Sequence, residues 1–223
     1  MRRKIVLATE EVYHIFNRSI ADFKIFNNDE EFIRMKYALA YFQLRTLPSK
    51  FSQFLEQDIV EREGFESHFY STSQGIDKIV QIIAYCIMPT HIHLILKQIV
   101  ENGISIFMGN LLNSYSRYFN TKHKRKGPLW EGKFKNVLVK SDEQLLHLSR
   151  YIHLNPVTAF LVDAPVRWPF SSYQEYLSQT DNSKRICNYQ GIIRIEMPTY
   201  KKFVEDRIAY QRELAILKGL ILE

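Results

Sequence analysis

The chain has 223 residues, 46% hydrophobic and 13% aromatic, with a formal net charge of +6 and a pI of about 9.2. This is ordinary globular composition for one large domain or a domain with appendages, and the positive excess favours an anionic partner. Two cysteines, Cys86 and Cys187, exclude a disulfide framework or a cysteine zinc site, and no apolar run approaches a membrane span.

The opening, Met1 to Ala8, has the charged start of a signal peptide but is cut short by Glu10 and Glu11. The expectation is a soluble, cytoplasmic protein with no membrane partner. Val12 to Phe16 reads as a first strand, with a polar turn at Asn17-Arg18-Ser19. Asn27-Asn28-Asp29-Glu30-Glu31 is a helix start: a capping side chain followed by acids in the first turn. That helix is expected to run to Leu47-Pro48-Ser49. Residues 49–77 read as a helical or loop insertion. Ile79 to Ile87 is a strongly apolar strand, Pro89-Thr90 a turn, and His91 to Gln98 the return strand.

Ile104 to about Phe119 has helical periodicity, and Phe134 to Val139 has strand character. Ser141-Asp142-Glu143 caps a further helix that Pro156 is expected to close, and a short helix opens near Trp168. Residues 181–197 read as loop, and Thr199 to Leu220 as a terminal helix. Strand, helix, strand pair, helix, strand, helix predicts an α+β fold: a split βαβ antiparallel sheet, ferredoxin-like or RRM-like, with helices on one face and an extra C-terminal helix. The other face would be free for a site.

His91 and His93 stand one residue apart on the return strand, so both side chains project from one face. Two neighbouring imidazoles are half of a metal site, although His-x-His alone also fits the polar rim of a sheet. Downstream, Tyr151 and Asn155 share a helical face, with His147 one turn earlier. An amide oxygen with two imidazoles leaves a divalent cation open positions for phosphate oxygens and water, as catalysis requires. Mixed nitrogen and oxygen ligation suits Mg²⁺ or Mn²⁺. A phenol can attack an activated phosphate and keep the bond energy in a covalent linkage.

Met88 to Leu94, Gly127 to Lys135, Arg150 to Val157 and Trp168 to Tyr173 resemble, in this order, the motifs of the single-tyrosine HUH transposases, and most closely their REP-associated branch. The resemblance spans roughly residues 10–176. It implies HUH endonuclease architecture, and a metal-dependent strand transferase that nicks single-stranded DNA beside a hairpin of a repeated palindromic element through a 5′-phosphotyrosine. On that resemblance His91 and His93 hold the metal with Asn155 as third ligand, and Tyr151 is the nucleophile. Asn155 stands where many relatives outside that branch carry Gln, and Lys133 where Arg is common. The domain division implied is a catalytic domain over residues 1–176, with the insertion, and a C-terminal extension over 177–223. The chain would act as a monomer or a homodimer.

Independently of the resemblance, residues 117–140 carry eight cations against Glu131 alone. Arg117, Lys122, Lys124, Arg125, Lys126, Lys133 and Lys135, with Trp130 among them, form a candidate DNA-binding groove, and Arg18 is a further candidate. Phe119 and Phe134 read as core, and Trp130 fits either role. Competing readings are an HUH replication initiator, a catalytically silent hairpin-binding protein, and a metal hydrolase that would not need Tyr151.

Overall fold

The first strand, β1 (Val12–Arg18), buries Tyr13, Ile15 and Asn17 on one face and turns Val12, His14, Phe16 and Arg18 to the other. In the computed structural model, which describes residues 7–177, 185–193 and 197–221, helix α1 (Asp29–Tyr41) follows. Asn28 caps α1 by accepting the backbone N–H of Glu31 at 3.2 Å, and three acids occupy the first turn. The helix stops at Tyr41, short of the expected end at residues 47–49. The insertion is helical: α2 (Phe51–Leu55), α3 (Asp58–Glu63) and α4 (Phe65–Ser73). Phe51, Phe54 and Phe65 fasten it to Tyr37 and Tyr41 by ring contacts.

Strands β2 (Val80–Met88) and β3 (His91–Gln98) form a hairpin through Pro89-Thr90, as read from the sequence. Helix α5 (Gly103–Lys122) and strand β4 (Lys135–Leu138) complete the split βαβ unit. The sheet order is β2-β3-β1-β4 with every pair antiparallel, so β1 and β3 are central. Ile15, Ile92, Leu94 and Leu96 pack beneath α1 and α5 against Met35, Leu39, Phe107 and Leu111. The α+β class and the antiparallel sheet are as expected.

The opposite face is half covered rather than free. Helices α6 (Asp142–Thr158), α7 (Tyr173–Tyr176) and α8 (Met197–Glu205) bury Ile83, Ala84, Cys86, Met88 and Ile95. The reason lies in β2, which is apolar on both faces and needs cover on both. The rest of that face, over β1 and the start of β3, carries the histidines.

Pro156 lies inside α6 instead of closing it; only two residues follow, so its missing N–H forfeits one bond of the last turn. The terminal helix is two helices, α8 and α9 (Ile208–Ile221). Residues 1–6 of the basic opening, and 181–184 and 194–196 of the expected loop, lie outside the described residues. Among the described residues no helix is long and apolar enough to cross a membrane.

The outer edge of β2 is occupied by a strap. The N–H of Ile87 donates to the Phe170 carbonyl at 2.9 Å, Ser172 N–H to the Tyr85 carbonyl at 2.9 Å, and the Trp168 indole to the Ile87 carbonyl at 3.0 Å. Further along, Asn188 N–H donates to Ile82 at 2.9 Å.

Two glycines of α5 face opposite surroundings. A Cβ on Gly103 would stand 2.2 Å from the Ile79 carbonyl oxygen, whereas one on Gly109 would meet nothing within 4 Å. Gly103→Ala is expected to destabilise the fold by about 1–3 kcal/mol through overpacking against backbone. Gly109→Ala should stabilise it by about 0.5–1 kcal/mol through helix propensity. Urea denaturation of the two variants beside wild type measures both.

Candidate active site

Register brings the site together. Arg18 pairs with His91, Phe16 with His93 and His14 with Ile95 across β1 and β3, so His14, Phe16, Arg18, His91 and His93 share one face. On the other side of β1, Lys135 pairs with Phe16 and joins that face. The His91 and His93 ring centroids are 5.1 Å apart, and His14 stacks on His93 at 5.2 Å. From α6, Tyr151 stands edge-on to His93 at 5.8 Å and to His14 at 6.4 Å. Thus two of the sequence-predicted groups, the histidine pair and the tyrosine, meet within one chain.

Burial keeps these imidazoles uncharged. Desolvation lowers His93 to about 3, with His91 and His14 adding repulsion, lowers His14 to about 4, and lowers His91 as well. Both Nδ1 atoms are engaged: His93 Nδ1 lies 3.0 Å from His14 Nε2, and His91 Nδ1 lies 3.0 Å from Thr90 Oγ1. With Nδ1–H donated in each case, the Nε2 lone pairs of His91 and His93 are the ones left for a ligand. Neutral imidazoles so arranged fit a cation. Among the described residues no three His, Cys, Asp or Glu side chains cluster as a metal cage, so a closed structural site is absent from them. Cys86, beside His93 in the ladder, is buried with its thiol pushed up and stays protonated.

Asn155 follows Tyr151 by one turn and is buried, and its carboxamide Nδ2 has no hydrogen-bond partner. Half a turn of that amide exchanges nitrogen for oxygen at the same place. Tyr151 is 46% exposed, and its phenol is raised above the usual range by burial, with a smaller effect from Cys86. It is therefore a neutral phenol in the DNA-free protein.

The basic candidates divide between two surfaces instead of forming one groove. Lys133 and Lys135 line a cavity of about 270 Å³ with Phe16, Asn17 and Arg18, adjoining the histidines. Arg18 is paired there with Glu131. Arg117 and Lys122 instead line a groove of about 850 Å³ between α1, α2 and α5, on the helical face. Lys122 is held there by Glu30 at 2.8 Å. Lys124 and Lys126 are exposed in the connecting loop, and Arg125 bonds Asn120 at 3.2 Å. Trp130 is a correction: it is buried, donates its indole N–H to the Leu112 carbonyl at 3.3 Å and packs beside Tyr115, so it offers no face for base stacking. His147 accepts from Arg150 at 3.0 Å and faces Phe203, away from the histidine pair.

Two residues were missed in the sequence. His14 could have been found from the alternation of β1, which sets it on the face opposite Tyr13 and Ile15. His153 of α6 is wholly buried.

The antiparallel split βαβ sheet bears a histidine pair under a helix-borne tyrosine, and the comparisons find the chain similar to transposases, as the motifs suggested. Residues 46–155 match the family model "Transposase IS200 like", a segment that contains His91 and His93, Tyr151 and, as its last residue, Asn155. A Haemophilus influenzae protein named "Putative REP-associated tyrosine transposase" is 30% identical over 104 residues, which are 42% of this chain and 58% of the relative. The match thus spans little more than half of that relative. The solved structure of a REP-associated tyrosine transposase bound to a REP hairpin shares the fold, with a TM-score of 0.50 at 13% identity over 88% of this chain and 98% of the other. A crystal structure of a Deinococcus radiodurans protein described as a putative transposase is similar at a TM-score of 0.36 and 16% identity, over 68% and 95% of the two chains.

His153 gives the first test of this half of the molecule. Desolvation holds it near pKa 3, far below the unfolded value near 6.5. Between those values the unfolded chain binds a proton that the folded chain refuses, so stability falls as pH drops from 6.5 toward 3, by at most about 1.4 kcal/mol per pH unit for this group. Urea midpoints measured from pH 7 to pH 4 should fall less steeply for His153→Gln than for wild type.

Proposed function

We propose that the protein is a metal-dependent, single-strand DNA endonuclease and strand transferase that acts beside hairpin DNA. The observation that carries this reading is the contact of Tyr151 with the His93 ring in the same chain, at 5.8 Å. Nucleophile and imidazole pair come from one polypeptide, which favours action in cis by a single subunit.

In this reading His91 and His93 present Nε2, and Asn155 its carboxamide oxygen, to Mg²⁺ or Mn²⁺. When bound, the ion polarises the scissile phosphate and stabilises charge on its oxygens. His14 accepts the Nδ1–H of His93, and Thr90 that of His91, so both rings keep the ligating tautomer. Arg18, Lys133 and Lys135 line the cavity next to the pair and hold the incoming backbone by charge. The Tyr151 oxygen attacks phosphorus, the bond to the 3′ oxygen breaks, and the phenol proton is transferred in net to that leaving oxygen. The products are a 5′-phosphotyrosine and a free 3′-hydroxyl, which can later reverse the step on a new strand. The likeness to a transposase solved with a REP hairpin supports a hairpin partner. Cytoplasmic location and the division into a catalytic domain over 1–176 and an extension belong to the same proposal.

Incubation with Mn²⁺ and a library of hairpin oligonucleotides carrying single-stranded flanks should give an adduct stable to SDS. Tyr151→Phe should abolish the adduct while leaving DNA affinity within about twofold, because the phenol hydroxyl is a small part of a backbone-dominated interface. No wild-type adduct across the library would instead favour a binding protein, and turnover surviving Tyr151→Phe a hydrolase.

Ion binding is separable from cleavage. Mn²⁺ titration of DNA-free protein, followed by electron paramagnetic resonance, should show binding lost in the His91→Ala, His93→Ala double variant. His14→Ala should weaken it by about 10–100-fold, the usual cost of removing a partner behind a ligand.

A further inference from the structure

Helix α6 is held from two opposite sides. Tyr151 and Asn155 lie on one side; Ser149, His153 and Val157 lie about half a turn round the axis. On that second side the chain's last helices, beyond the family match at 46–155, grip α6 at three places.

The first grip is a chain of hydrogen bonds. Backbone N–H of Tyr85 on β2 donates to Ser172 Oγ at 2.9 Å. Ser172 Oγ lies 2.8 Å from His153 Nε2, and His153 Nδ1 lies 2.7 Å from the Tyr200 hydroxyl of α8. Tyr200 donates to Ser149 Oγ at 3.0 Å, and Ser149 donates to the Leu146 carbonyl at 2.8 Å. With the Ser172 proton given to His153 rather than to the Tyr85 carbonyl 3.2 Å away, each hydroxyl and the neutral imidazole gives one proton and accepts one, and the buried network is satisfied throughout. In the second grip, Arg150 stacks over Phe203 at 4.2 Å and reaches its carbonyl at 3.5 Å. In the third, Arg212 of α9 donates to the Val157 carbonyl in the last turn of α6 at 3.5 Å and to the Val162 carbonyl just beyond it at 3.1 Å. The grips therefore bracket the Tyr151–Asn155 turn on both sides.

We infer that α8 and α9 are a brace that fixes the α6 turn bearing Tyr151 over its own histidine pair, with Tyr200 and His153 as positioning residues for strand cleavage. This rests on the proposed function, in which Tyr151 must meet a phosphate at the pair. Attack geometry is sensitive to displacements of about 1 Å. Removing the Tyr200 hydroxyl detaches α8 from both Ser149 and His153 and leaves the ring packed.

The test uses the full chain as Tyr200→Phe, with Tyr176→Phe as its match. Tyr176 is buried in the same aromatic cluster, but its hydroxyl donates to the Ile83 carbonyl and not to α6. Adduct formation is timed at saturating hairpin DNA, affinity is read by fluorescence anisotropy, and amide hydrogen exchange is followed over residues 148–158. Tyr200→Phe should slow adduct formation by about ten- to a hundredfold, with affinity within about twofold and faster α6 exchange. Tyr176→Phe should leave rate and exchange near wild type. Equal slowing in both, or an unchanged rate and unchanged α6 exchange in Tyr200→Phe, overturns the brace. If wild type forms no adduct, the functional reading fails, and the exchange comparison alone still decides whether α8 holds α6. Should Tyr200→Phe not fold, Arg212→Gln, which takes the guanidinium away from the Val157 and Val162 carbonyls, is expected to slow the adduct in the same direction, and an unchanged rate there counts against the brace.

Discussion

The pairing of β1 with β3 is the constraint on which the rest depends. Strand side chains alternate, so a slip of one residue would send His14, Phe16 and Arg18 into the core beneath α1 and α5, and Tyr13 and Ile15 out of it. The apolar set on the core side forbids that slip. The same burial that stabilises the sheet thereby fixes which imidazoles face each other. The site is an outcome of core packing, read from the opposite side of two central strands.

The second requirement is that α6 lie over one half of this face and leave the other half open. Leu145, Ile152 and Leu154 of α6 join the cluster over β2, whose doubly apolar character draws the helix there. Tyr151, at the boundary, keeps a half-exposed ring against His93. Its phenol is made less acidic by its surroundings.

Features set by local chemistry were legible in the sequence. The caps at Asn28 and Ser141, the Pro89-Thr90 hairpin and the two helical stripes depend on residues within a few positions of one another. Features set by distant partners were not. His14 matters because β3 lies beside it, and its partner His93 is 79 residues away. His153 is buried by Tyr200, 47 residues later, so helical spacing alone could not show that it belongs to the interior. Trp130 sits among cations in the sequence, yet α5 supplies the carbonyl that takes its indole N–H. The run of basic residues from 117 to 140 looked like one surface because it is continuous in the chain. It passes from the helical face to the sheet face, and its charges are divided between them.

The strap along β2 has a consequence for association. An unpaired outer strand is a template on which a second polypeptide can extend a sheet, a common route both to dimers and to aggregates. Here residues 168–172 and Asn188 have already taken main-chain groups of Ile82, Tyr85 and Ile87. Two copies therefore cannot merge into one continuous sheet through that stretch of β2. The opposite border is the four-residue β4, which is too short to be a good template. Extension of the sheet by a second copy is thus blocked along that part of one border and disfavoured at the other.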